Sequence, residues 1–186
     1  MNWIAFGVVG YGLLGIERGA RDALAIGPVQ PSFLLPLAVY VALSAPPVQA
    51  LWACLLIGLA IDLTGPWSAS AGGVQPLIGA HALGYVLLAQ LALMVRGKLV
   101  RNHLATMAVL AFIGGIAINI VVVALLALQR LYGSGIATEP LERLVVQLGA
   151  SAYTAFLAVP MGFALAAMAP LFGFQSTAPR SWMRRA

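Results

Sequence analysis

The sequence predicts an all-α integral membrane protein, a single polytopic domain of about six transmembrane helices. Two observations carry that expectation. Of the 186 residues, 62% are hydrophobic and only 8% charged, against about 25% charged in an ordinary soluble domain. The few charges are also clustered. None falls between Asp22 and Asp62, between Asp62 and Arg96, between Arg101 and Arg130, or between Arg143 and Arg180. A helix needs roughly 20 apolar residues to cross a bilayer, so each interval has room for at least one span.

The first span is expected over about Trp3 to Ile16 and is retained rather than cleaved, because no Lys or Arg precedes it as a secretory signal would require. The charged segment from Glu17 to Asp22 ends it. A second span is expected over Pro28 to Ser44 and a third over Val48 to Leu63. Pro46-Pro47 separates them, since proline lacks a backbone donor and restricts the residue before it. A loop rich in Gly, Ser and Pro follows, from Thr64 to about Gln75. The fourth span is expected over Pro76 to Val95, with proline tolerated in its first turn. Basic residues from Arg96 to His103 lead to a fifth span, Leu104 to Leu128. A polar loop holding Arg130, Glu139, Glu142 and Arg143 precedes a sixth, Leu144 to Met168, in which Pro160 predicts a kink. Residues 169–186 read as a basic cytoplasmic tail.

Loop charge sets the orientation, because cytoplasmic loops carry the excess of Lys and Arg. Six spans put Arg96, Lys98, Arg101, Arg180, Arg184 and Arg185 on one side with no acidic residue. The other side holds four basic residues and four acidic ones. Both termini are therefore expected in the cytoplasm, with the Thr64–Gln75 loop outside. Five spans would split the basic clusters between the two sides, a weaker fit. Topology also explains the net charge of +5 better than nucleic-acid binding does.

Charged or polar groups at membrane depth are costly, so each is a candidate for function. Asp62 ends the third span in Gly58-Leu59-Ala60-Ile61-Asp62-Leu63. Three roles are open to it: pairing with backbone donors of the glycine-rich turn, contact with a partner protein, or binding of a proton or substrate. His81 and Tyr85 lie four residues apart and share a helix face. An interhelical hydrogen bond is the expected role of His81, and contact with Asp62 is open to it. Asn119, Gln90 and Gln147 read as hydrogen-bonding glue between helices. The small-residue series Ala158, Gly162 and Ala166 allows close backbone approach.

Catalysis, cofactors and metals find no support in the residues. The single cysteine, Cys54, reads as a small buried hydrophobe. No nucleophile elbow, HExxH helix or phosphate loop occurs. Five acidic residues, four of them at loop edges, leave no paired carboxylates for acid–base work. No catalytic, cofactor-binding or metal-binding residue is expected.

The stretch from Gln30 to Leu128 resembles the MreD family of bacterial rod-shape-determining membrane proteins. The resemblance runs through Gln30-Pro31-Ser32-Phe33-Leu34-Leu35, Tyr40, the break at Ala45-Pro46-Pro47, and Gly58 with Asp62. It continues through Gly72-Gly73-Val74, Leu77, Tyr85, the short basic connector and the long fifth span. Two departures stand out: a longer loop after Asp62, through Pro66 to Ala71, and Asn119 where many relatives carry an acidic residue. The resemblance implies a non-catalytic component of the cell-elongation machinery in the bacterial inner membrane, regulating cell shape and peptidoglycan synthesis. The partners it implies are the lipid bilayer, an MreC-like protein and, through that protein, MreB filaments, the glycosyltransferase RodA and a penicillin-binding transpeptidase. The family is also similar to the six-helix substrate-binding subunits of energy-coupling-factor vitamin transporters. That implies an S-component-like bundle and a rival function, small-molecule uptake, through a polar pocket lined by Asp62, His81, Tyr85 and Asn119. The candidate partner or structural sites are thus Gly58, Asp62, Gly73, His81, Tyr85 and Asn119.

Overall fold

Proline, glycine and a few polar caps decide where each helix starts and stops. In a computed structural model, residues 1–20, 23–64, 79–97, 104–131 and 140–173 are described. They form six helices: α1 (Trp3–Gly19), α2 (Leu34–Ser44), α3 (Pro47–Thr64), α4 (Ala80–Val95), α5 (Leu104–Leu131) and α6 (Pro140–Ala167). The Asn2 side chain opens α1 by accepting hydrogen bonds from Ile4 N and Ala5 N at 3.1 and 3.4 Å. Pro47 opens α3, where its missing donor costs nothing.

Three expected boundaries change. The second helix begins at Leu34 rather than Pro28. Gly27 takes a left-handed φ of 61°, and Ile26 and Val29 pair in a tight antiparallel bridge. Pro28 and Pro31 hold the chain extended around them. The fourth helix begins at Ala80, directly after Gly79, whose φ of 104° lies outside the helical region; Pro76 lies outside the described residues. The tail begins later than residue 169. Residues 168–173 form turns that bring Phe172 into the core, fully buried and tilted against Tyr40 at 6.1 Å between ring centres. Asn2 N donates to Phe172 O at 2.8 Å, tying the start of α1 to the end of α6. Elsewhere α6 starts four residues before Leu144, α5 runs three past Leu128, and α6 continues through Pro160.

The core is organised around α2. Every residue from Leu34 to Leu43 is buried, and α2 touches all five other helices. Around it α3, α4, α5 and α6 pack as successive neighbours, while α1 rests on α2. The α3–α4 seam closes at Gly58: a Cβ there would lie 2.5 Å from Ala82 Cα and 2.7 Å from Ala82 N. Only glycine permits that approach.

Among the described residues, three helices are long and apolar enough to cross a membrane: α3, α5 over Ala105–Leu125 and α6 over Val146–Ala167. Helix α2 differs from the expected second span. Eleven residues rise about 17 Å at 1.5 Å each, short of the roughly 30 Å hydrocarbon core. It is lined by protein on every side and meets no lipid along Leu34–Leu43.

Gly58→Val should therefore part α3 from α4, since the contacting atoms are backbone and cannot swing aside. Overpacking of this kind costs about 1–3 kcal/mol or more. The expected outcome is a clearly lower thermal midpoint, or loss of a monodisperse peak, for detergent-purified protein. Gly12→Ala, where an added Cβ meets nothing within 4 Å, should leave both unchanged.

Candidate polar sites at the helix ends

Buried backbone groups at a helix terminus need partners, and here side chains from other helices supply them. The first site joins α3 to α4. Asp62, near the end of α3, accepts from Gly79 N at 2.9 Å and Ala82 N at 3.2 Å through Oδ2. Its Oδ1 accepts from His81 N at 3.3 Å and lies 2.7 Å from His81 Nδ1. The Asp62 side chain is 3% exposed, whereas that of His81 is 38% exposed. A carboxylate at the positive end of α4 is favoured by both the free N–H groups and the helix dipole. The backbone donors that Asp62 pairs with are those at the start of α4, whereas the glycine-rich loop expected to supply them lies largely outside the described residues; the Asp62–His81 contact is made. Gly58 lies one turn back on α3 and sets the distance at which Asp62 can reach α4.

The second site is built by the adjacent pair Glu17-Arg18, which sequence reasoning treated only as a charged boundary. Glu17 Oε2 accepts from Phe33 N at 2.8 Å, Leu34 N at 3.1 Å and Ser32 Oγ at 3.2 Å. It therefore caps the start of α2 from a different helix. Ser32 Oγ also accepts from Leu35 N at 3.4 Å, and Ser32 N donates to Thr154 Oγ1 on α6 at 3.0 Å. The Tyr85 side chain is buried on the adjoining face of α4, with Ser32 and Glu17 in its surroundings. Arg18 reaches the other way, donating from Nη2 to Thr64 Oγ1 at 3.1 Å and Ile61 O at 3.5 Å at the carbonyl end of α3. The opposite end of α2 has a matching partner: Arg96 Nη1 donates to Ala45 O at 2.6 Å. A carboxylate thus sits at the amino end of α2 and a guanidinium at its carboxyl end, each on the favourable side of the dipole.

The candidate residues divide among separate sites. Gly58, Asp62 and His81 come together. Tyr85, although one turn from His81, is buried and turned toward Ser32. Asn119 bridges α5 to α6, donating from Nδ2 to Ser151 Oγ at 3.1 Å and Gln147 O at 3.3 Å. The pocket expected to unite Asp62, His81, Tyr85 and Asn119 is not assembled by these contacts, because Asn119 bonds across the α5–α6 seam, away from the Asp62–His81 pair, and Tyr85 is buried in the core. Gln90 faces outward rather than between helices, and Gln147 contributes its backbone carbonyl rather than its amide oxygen. Gly73 lies outside the described residues. Among the described residues, no three His, Cys, Asp or Glu side chains gather as a metal ion would require.

The signal that could have exposed Glu17 is Ser32, a capping residue two positions before an apolar run and just after Pro31. It marks the start of α2 and so a demand for acceptors there. Comparison of the chain with family models, curated proteins and solved structures finds no match.

Substitution at the first site should separate charge from shape. Asp62→Asn keeps the volume but gives one acceptor oxygen to donors that now meet two. Hydrogen bonds to a charged group contribute about 1.5–3 kcal/mol, so a loss near 2 kcal/mol is expected in chemical unfolding of the purified protein. His81→Ala, which leaves the three backbone bonds to Asp62 intact, should cost about 1 kcal/mol or less. Equal losses for the two variants would contradict the cap.

Proposed function

We propose that this chain is a non-catalytic scaffold of a bacterial cell-elongation complex, seated in the inner membrane and acting by holding an MreC-like partner. Through that partner it would engage MreB filaments, a RodA-type glycosyltransferase and a penicillin-binding transpeptidase, as the resemblance across Gln30–Leu128 implies. The observation that carries the reading is the use made of polar groups. Glu17, Arg18, Asp62, Arg96 and Asn119 each hydrogen-bond to another helix or its end, and α2 fills the centre where a substrate would sit. What such a body offers a partner is its surface.

Helix α1 is the favoured partner face. It turns Ile4, Gly7, Val8, Tyr11, Gly12 and Gly15 outward, and a Cβ on Gly7, Gly12 or Gly15 would meet nothing. Glycines on a lipid-facing helix weaken it without serving its own fold, and they suit close approach by a second membrane helix. In this reading the molecule has six membrane-embedded helices with both termini cytoplasmic. The ends joined by Asp62 and Glu17 then face the periplasm.

Affinity purification from native membranes of a rod-shaped bacterium should recover a protein with one span and a periplasmic domain. Gly12→Leu with Gly15→Leu should reduce that recovery at least tenfold while leaving the thermal midpoint of the purified chain within a few degrees. Recovery of no such partner, with normal cell shape after depletion, would overturn the proposal.

A further inference from the structure

Gln90 is a polar side chain on the outer face of an apolar helix. Helix α4 turns Leu83, Leu87, Gln90 and Met94 outward, and Gln90 makes no hydrogen bond among the described residues. Asn119, by contrast, donates across the α5–α6 seam.

Packing fixes the depth of Gln90. A Cβ on Gly84 would meet Ile118 at 3.0 Å, and one on Gly114 would run into the Leu88 side chain. These two antiparallel contacts set Gln90 level with Phe112 of α5. The apolar window of α5 runs from Ala105 to Leu125, so Gln90 sits about 10 Å inside one end of it and about 20 Å from the other. Arg96, toward the nearer end, is about 9 Å further along the axis of α4. Helical side chains lean toward the N-terminus of their own helix. Gln90 therefore leans away from Arg96 and toward the middle of the window. An amide left in hydrocarbon without a partner is costly, so this position calls for a hydrogen-bonding group from outside the chain.

The spacing of the face indicates which group. Leu83, Leu87, Gln90 and Met94 recur at steps of four, three and four. That is the heptad seam along which two helices pack, and a single polar residue in such a seam fixes register and helix number. A glutamine amide carries both donor and acceptor. In two copies related by a twofold axis along the membrane normal, Gln90 meets Gln90 at one depth, and the two amides can exchange reciprocal hydrogen bonds. Loop charge inserts every copy in the same orientation, as that symmetry requires. A different protein would need a polar group of its own at this depth. We propose that the outer face of α4 is a self-association surface, on which two copies of this chain pair along Leu83, Leu87 and Met94 with Gln90 hydrogen-bonded to Gln90 of the second copy. The inference rests on the membrane placement of α4 and leaves the α1 face to the partner proposed above.

Cross-linking and sedimentation test it in full-length protein. Met94→Cys lies on the seam, whereas Phe156→Cys is as exposed but lies on α6. Cys54, fully buried, is replaced by Ala in both. In dilute phosphatidylcholine vesicles, copper-phenanthroline oxidation should join Met94→Cys into a dimer well above the collisional level given by Phe156→Cys. Sedimentation equilibrium of the otherwise native chain in density-matched detergent should show a dimer, and Gln90→Leu should weaken it about three- to thirtyfold, the range for an interhelical hydrogen bond in a membrane. Gln90→Asn, which keeps an amide, should lose less. Gln90→Leu breaks no contact within the chain, so its thermal midpoint should not fall, which separates lost pairing from lost folding. A native chain that is monomeric at every concentration, a dimer that Gln90→Leu leaves unchanged, or equal cross-linking at 94 and 156 would each overturn the proposal. Reduced recovery of a different membrane protein with Gln90→Leu, from a chain that is itself monomeric, would overturn it too and give the face to that protein. None of these results touches the proposed function, which fails only if the MreC-like partner is not recovered.

Discussion

A helix buried along its whole length can exist only if protein satisfies both of its ends, and α2 is such a helix. Its apolar side chains make the centre of the bundle, and side chains from other helices meet backbone groups at both of its ends. Glu17 meets the first demand and Arg96 the second. The two residues lie on α1 and at the end of α4, so satisfying α2 also fixes where those helices stop. The same logic repeats between α3 and α4 through Asp62, and between α1 and α3 through Arg18. In a medium that offers no alternative partners, an unmet backbone group costs several kcal/mol. Among the described residues, Glu17, Arg18, Asp62 and Arg96 are each placed at the end of another helix.

Much of the fold was legible in the sequence. The six apolar windows became six helices, and Pro46-Pro47 separates α2 from α3 as expected. Asp62 could be singled out because it interrupts a long uncharged stretch next to a glycine-rich loop, and its pairing with backbone and with His81 follows from that position. The start of α2 was hidden because Ile26, Pro28 and Val29 keep the local hydropathy high, although Gly27 and the prolines prevent a helix there. Glu17 was hidden for another reason. A charge that follows an apolar run reads as an interface marker, and nothing local shows that the start of another helix folds beneath it. Tyr85 and His81 share a nominal face, yet Tyr85 is buried in the core while Asp62 holds His81 at the rim.

These arrangements bear on function through what they leave free. Glu17, Asp62 and Asn119 are engaged with other helices, and α2 fills the centre of the bundle. Outward on α1 is a glycine-rich apolar face.

The central claim is that the capped α2 holds the other helices in place. Amide hydrogen exchange of the detergent-purified protein, read for the native chain and for Glu17→Ala, tests it most directly. If α2 is the hub, its backbone exchanges slowest in the native chain, and loss of the Glu17 carboxylate speeds exchange in α2 and in the helices packed on it together. Faster exchange confined to residues 32–35, with α3 to α6 unchanged, would contradict the account.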